Sequence, residues 1–503
     1  MSGRMRTFAL ISVGAFAGVA VSLGISAYAF RDSRGAIPLE EIRQLTDVFG
    51  AIKNHYVEPV EDRKLIEEAI SGMLTGLDPH SAFLNADAFK DLQTSTQGEF
   101  GGLGIEVAPE DGAVRVVAPI DDTPAYRAGI KAGDLIIKID DTLTRGMPLS
   151  DAVKLMRGKK GTSVTLTVAR KGEANPLEFK LVRDVIRTQS VRSKIIEPGY
   201  AFVRISQFQE RTVDDLTKHL TDAYKAGPLK GLVLDLRNDP GGLLHSAIGV
   251  SAAFLPKRAL VVSTDGRMND AKRRFVAAPE DYLRSRGEDV LAKLPAEFKS
   301  VPMVVLVNGA SASASEIVAG ALQDHKRATV IGTQTFGKGS VQTIIPLRSD
   351  GDHPAAIKLT TARYFTPNGR SIQAKGIEPD FQVDDTAQGS FAGLQIREAD
   401  LARHLEDKKG GADTRTGASR EATPADAQTE PRPEATAPRR YEFGSPEDFQ
   451  LQQAMKHLKG LPVETTKKPE SVAASSKAAR EIDGRCQRTR RCRRGRDSDN
   501  AHR

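Results

Sequence analysis

The chain has 503 residues, of which 39% are hydrophobic and 27% charged. That composition fits a protein of roughly three domains with real cores. The net charge of +7 does not mark a nucleic-acid face, because seven arginines crowd between Arg485 and Arg496 and the rest is near neutral. Both cysteines, Cys486 and Cys492, lie in the same tail, so the folded body has neither a disulfide framework nor a cysteine metal site.

Arg4 and Arg6 precede an apolar stretch from Phe8 to Tyr28, and Ala27-Tyr28-Ala29 offers a small-x-small cleavage pattern. Residues 1–29 therefore read as a secretory signal. An uncleaved inner-membrane anchor is the alternative, since the stretch approaches the ~20 residues that span a bilayer. Either reading puts the body of the protein outside the cytoplasm, in the periplasm of a bacterial envelope.

Residues 37–97 read as helical. Ile42, Leu45, Val48, Phe49 and Ile52 recur at three- and four-residue spacing, as do Leu65, Ile66, Ala69, Ile70, Met73 and Leu74. Leu77-Asp-Pro-His80 breaks the pattern. So small a region needs a neighbour or a second copy to bury its apolar stripe.

Residues 98–185 change to short strands. Gly102-Leu103-Gly104-Ile105 is followed by Pro124-Ala-Tyr-Arg-Ala-Gly-Ile-Lys-Ala-Gly-Asp-Leu-Ile136. This stretch resembles a PDZ domain, whose glycine loop turns successive N–H groups toward a peptide's C-terminal carboxylate. The resemblance implies that a substrate tail adds as a strand beside Ile105-Glu-Val107.

From 186 to 385, buried apolar runs at Ala201–Ile205, Gly231–Leu236 and Met303–Val307 alternate with helical stretches. That order predicts an α/β layer with a mostly parallel sheet. The charged piece Arg267–Lys299 reads as an insertion or surface excursion. Residues 386–503 shift to Ala, Thr, Pro, Glu and Arg and read as a largely disordered tail. Within it, a short helix is expected near 445–459, with Leu451, Met455 and Leu458 on one face.

Two segments carry the chemistry. Ser311-Ala-Ser313-Ala-Ser315-Glu316 places hydroxyls before a helix, and Ser313 with Glu316 fits a capping box. A nucleophile there gains the same N–H groups and dipole, and the Ala314 N–H is aimed at an oxyanion. The second segment, Phe336-Gly-Lys338-Gly-Ser-Val-Gln342, returns one lysine between glycines. It half-matches a phosphate loop, but Gly339 stands where a hydroxyl is needed and a strand follows instead of a helix. A lysine serves as base toward a serine when burial lowers its pKa. Alternation predicts Lys338, Ser340 and Gln342 on one strand face. His245 and His325 are the rival bases.

Over residues 37–385 the whole set resembles the C-terminal processing peptidases, or tail-specific proteases. The resemblance implies a peptidase core of the ClpP/crotonase-like type and a mixed α/β chain overall. It implies that Ser313 is the nucleophile, Lys338 the base and Gln342 the residue that orients the lysine. The oxyanion donors it implies are Ala314 and a glycine of Asp239-Pro-Gly241-Gly242, with the choice between the two glycines open. No cofactor or metal is called for. The implied partners are protein substrates held by their C-terminal tails, a second copy joined through the N-terminal helices, and an adaptor protein, with no nucleic acid. An inactive PDZ-centred scaffold is the competing function.

Overall fold

The computed structural model describes residues 38–110, 112–120, 122–173, 175–284, 287–347, 354–387, 396–406 and 443–466. The signal segment 1–29 and the arginine-rich end fall outside them. Among the described residues, no helix is long and apolar enough to cross a membrane. Two units are distinguished, one up to Met73 and one from Leu74 onward.

The first unit carries the helix Leu39–His55 and most of Asp62–Thr75. The first of these helices buries none of its residues, so Leu39, Ile42, Leu45 and Val48 form an exposed apolar stripe.

The second unit has four sheets among the described residues, two of which form its main core. A six-stranded sheet runs in the order 191–197, 200–205, 231–235, 303–307, 329–332 and 381–382. Its first strand is antiparallel and the other five are parallel. Met303-Val-Val-Leu-Val307 is buried at every position, as a strand covered on both faces must be. Alternate residues feed opposite layers. Val203, Leu232, Val305 and Val330 face the helices Thr212–Lys225, Leu244–Phe254 and Ala314–Asp324. Phe202, Val233, Val304 and Ile331 face the other way.

What covers that second face is the helix Phe449–Leu458, far along the low-complexity tail. Asp448 caps it by accepting the Leu451 N–H, and Leu451, Ala454 and Met455 are buried. The Arg237 guanidinium lies between Asp235 at 2.8 Å and Asp448 at 2.6 Å and also reaches Gln450 at 2.9 Å. Burial opposes its charge, but the two carboxylates outweigh that and hold its pKa above the ordinary range. The expected short helix is therefore an integral layer of the core.

The second sheet is antiparallel and joins Leu260–Gly266, Arg273–Val276, Ser340–Leu347 and Ala355–Phe365. Ala82–Leu84 also pairs into it, opposite Ala356–Lys358. Within the region read as helical, this three-residue strand is too short to show a period. The charged piece Arg267–Lys299 is pinned by the buried Phe275, Tyr282 and Phe298, so it packs on the core.

Residues 98–187 leave the core on a two-stranded stalk, Glu99–Gly102 against Asp184–Arg187. Beyond it, the sheet order is 105–110, 113–119, 135–139, 163–169 and 177–182, with the helix Leu149–Met156 alongside. A separate core holds this domain together, centred on Val116, Ile136, Leu166 and Val168.

If the tail helix is structural, Leu451→Ala should lower stability by roughly 2–4 kcal/mol in urea unfolding. An unchanged midpoint would show that the helix adds nothing to the core.

Candidate active site

The strand Met303–Val307 ends at Asn308, and the three alternating serines that follow do different work. Ser311 Oγ donates to the Leu236 carbonyl at 2.8 Å and accepts the Asn308 N–H at 2.9 Å. Ser315 Oγ donates to the Asp239 carbonyl at 2.8 Å. Both latch the segment to the neighbouring turn. Ser313 is left without such a duty, and its hydroxyl meets the buried Tyr364 phenol. Its backbone has φ 56° and ψ −110°, a region costly for a non-glycine residue and often found at functional sites.

Glu316 is wholly buried and holds this strained turn. Its Oε2 accepts the Ser313 N–H at 2.7 Å and the Lys338 N–H at 2.9 Å. Its Oε1 accepts the Thr335 hydroxyl at 2.5 Å and the Gly337 N–H at 2.7 Å. One carboxylate thus joins the serine segment to the lysine loop, well beyond the local cap that the sequence suggests. Burial pushes its pKa up to about 7, against four donors that favour the charged form.

Lys338 is half-buried, and its pKa falls to about 8. Burial is the main cause and Lys358 adds to it, while Glu398, Glu316 and Asp78 act in the opposite direction. Among the described residues, its ammonium group has no carboxylate within ion-pair distance. Gln342 is placed differently from the expectation. The strand begins only at Ser340, so Lys338 lies in the preceding loop, while Ser340 and Gln342 share a face of the strand. The Gln342 amide donates to Ser340 Oγ at 3.0 Å and Thr360 Oγ1 at 3.2 Å, and not to the lysine.

The turn Asp239-Pro-Gly241-Gly242 follows the strand Gly231–Asp235. Gly241 has φ 96°, and a Cβ there would stand 2.8 Å from both the Ser313 Cβ and the Ala314 nitrogen. Only glycine lets the turn come this close. The Gly241 N–H donates to Asp239 Oδ1 at 2.8 Å. Pro240, Ala310, Ala312, Phe336, Lys338 and Ile396 line a cleft of about 490 Å³ here. The rival histidines are engaged elsewhere. His245 pairs with Glu210 at 3.0 Å, and the His325 ring meets the Leu260 carbonyl at 2.7 Å.

In the stalked domain, Ile105–Glu110 is an edge strand paired only with Ala113–Pro119 among the described residues. The Leu103 and Gly104 carbonyls accept Ala125 and Ile120 N–H groups, which fix the loop. Gly104, at φ 76°, packs its Cα against Thr123, where a Cβ would stand 2.3 Å from the threonine side chain.

A profile described as peptidase family S41 matches residues 199–383, one described as a PDZ domain matches 115–170, and an "activating protease CtpB N-terminal domain" matches 19–88. A carboxy-terminal-processing protease of Bartonella bacilliformis is 47% identical over 74% of this chain and 82% of that protein. The chain belongs to the carboxy-terminal processing proteases of family S41. The Bacillus subtilis carboxy-terminal processing protease CtpB is 35% identical over 71% of this chain and 70% of its own length. Among solved structures, a photosystem II D1 C-terminal processing protease aligns at 31% identity with a TM-score of 0.38, covering 66% of this chain and 88% of that one.

For this S41 protease, sequence reasoning did not find Tyr364, Gln373, His80 or Glu398 near the site. Glu398 comes from the tail and has no motif around it. Glu316 was visible only as a helix cap.

Glu316→Gln would point an amide NH₂ at N–H donors, so cleavage should fall by roughly ten- to hundredfold. Steady-state rates checked against thermal unfolding test this, and wild-type turnover would refute it. Lys338→Met removes a buried charge. The gap between about 8 and the ordinary 10.5 corresponds to roughly 3 kcal/mol at most. The lysine's charge therefore costs stability below pH 8, progressively less from 8 to 10.5, and nothing above. The variant should gain stability at pH 7 and lose that advantage above pH 10.5, as followed by urea unfolding across pH.

Proposed function

We propose that this protein is a serine endopeptidase with a Ser313–Lys338 dyad that cleaves exported proteins near their C-termini. The observation carrying the reading is the shared Glu316 Oε2. It accepts the N–H groups of both residues, so their backbones are held within two hydrogen-bond lengths of each other. Neutral Lys338 takes the Ser313 proton as Oγ attacks the scissile carbonyl. The ammonium then protonates the leaving amine. Water enters, Lys338 again acts as base, and the acyl-enzyme is hydrolysed.

The oxyanion is received by the Ala314 N–H and, on the other side, by the Gly242 N–H. Engagement of the Gly241 N–H with Asp239 favours Gly242 between the two glycines. Gln342 acts on the dyad indirectly in this reading, by ordering Ser340 and Thr360 beside the loop.

The PDZ loop, Gly102-Leu103-Gly104-Ile105, holds an apolar C-terminus, and the tail pairs with the free edge of Ile105–Glu110. The exposed stripe of Leu39–His55 supports association with a second copy through the N-terminal helices. An adaptor protein is a further proposed partner. A periplasmic location, with residues 1–29 as signal or anchor, rests on the sequence.

Ser313→Ala should abolish cleavage of an unfolded protein ending in apolar residues while leaving its binding intact. Equal cleavage by wild type and variant, or by neither, would favour the inactive scaffold. Activity should also rise about tenfold per pH unit up to about pH 8 and then level off, because deprotonation of Lys338 makes the base. A flat profile from pH 6 to 9 would remove Lys338 from the role.

A further inference from the structure

Glu398 opens a short turn, Glu398–Asp400, that lies beyond the residues matched by the peptidase family profile. It is wholly buried. Its N–H donates to the Phe336 carbonyl at 3.1 Å. Its Oε1 accepts the Gln373 amide at 2.8 Å, and Gln373 Oε1 in turn accepts the Gly339 N–H at 3.1 Å. Its Oε2 meets His80 Nε2 at 2.7 Å. Glu398 therefore grips the lysine loop on both sides of Lys338, by its backbone N–H at Phe336 and by its carboxylate, through Gln373, at Gly339. It also ties that loop to the Asp78–Ser81 turn, where Asp78 accepts the His80 and Ser81 N–H groups. Two residues upstream, Ile396 forms part of the cleft wall.

We infer that Glu398 is a positioning residue for Lys338, with Gln373 and His80 as its relays, so that the segment around 396–401 completes the peptidase site from outside the family domain. This rests on Lys338 serving as the base. A buried charge held this way does two separable things: it fixes the loop and it supplies a negative potential. The groups that bear on Lys338 electrostatically are Glu398, Glu316 from its helix, Asp78 from the turn and Lys358 from the adjacent strand. Removing the Glu398 charge leaves Lys358 less opposed and makes the ammonium easier to deprotonate.

The test is the pH profile of kcat/KM for the full chain on a fluorescein-labelled unfolded protein with an apolar C-terminus. Glu398→Gln should move the acid limb toward lower pH by roughly half a unit or more. It should also lower the plateau kcat about tenfold, with KM little changed. Glu398→Asp, which keeps the charge, should return the limb toward the wild-type position. Gln373→Leu cuts the tie to Gly339 but leaves the charge, so kcat should fall without a shift of the limb. This variant keeps the inference open to refutation if Glu398→Gln does not fold. A wild-type limb in Glu398→Gln, or wild-type kcat in Gln373→Leu, overturns the inference. Lys338→Met is the control: if it is inactive while Glu398→Gln behaves as wild type, only the positioning role fails. If Lys338→Met still cleaves, the dyad fails with it.

Discussion

The site depends on one buried carboxylate. Glu316 takes four donors from two chain segments that share no strand pairing at that point, and so converts two loops into one object. An isolated buried carboxylate is expensive, and here hydrogen bonds offset the cost. The strained Ser313 backbone is one beneficiary, because its N–H has a fixed acceptor. Gly337 is another, because its N–H must approach the carboxylate closely. The Ser313 and Lys338 backbones are thereby held to one carboxylate oxygen.

A second layer of support comes from the tail. Asp448 holds Arg237, one residue before the Asn238–Gly242 turn, and Glu398 holds the lysine loop. Both carboxylates are buried. The glycine turn and the lysine loop are thus both tied to residues outside the stretch matched by the peptidase family profile.

Much of the fold was legible because its signals were local. Met303–Val307 reads as a strand buried on both faces, and Gly102-Leu-Gly-Ile105 carries its turn in the glycines. Ser313, Lys338 and the glycine turn were picked out by residue type, and the cleft is lined by Lys338, by Pro240 of the turn and by Ala312 next to Ser313. What stayed hidden depends on long-range pairing. Gln342 shows this on a small scale: alternation assigned it to the face of Lys338, but the strand starts two residues later, at Ser340, and leaves the lysine in a loop. Glu398 shows it on a large one, since nothing near it in sequence reveals that a carboxylate is needed 60 residues past the lysine. The tail helix looked marginal because its ten residues cannot bury a face alone, and the sheet that receives them is built from strands far upstream.

That helix has a consequence for how the enzyme comes into being. Chains are synthesised from the N-terminus, and the helix Phe449–Leu458 follows every strand it covers. Until it docks, Phe202, Val233, Val304 and Ile331 present a bare apolar sheet face and Arg237 lacks Asp448. The catalytic residues are all present in the nascent chain well before the scaffold that steadies them is closed. Closure of this layer of the core therefore waits on a segment made after every strand that it covers.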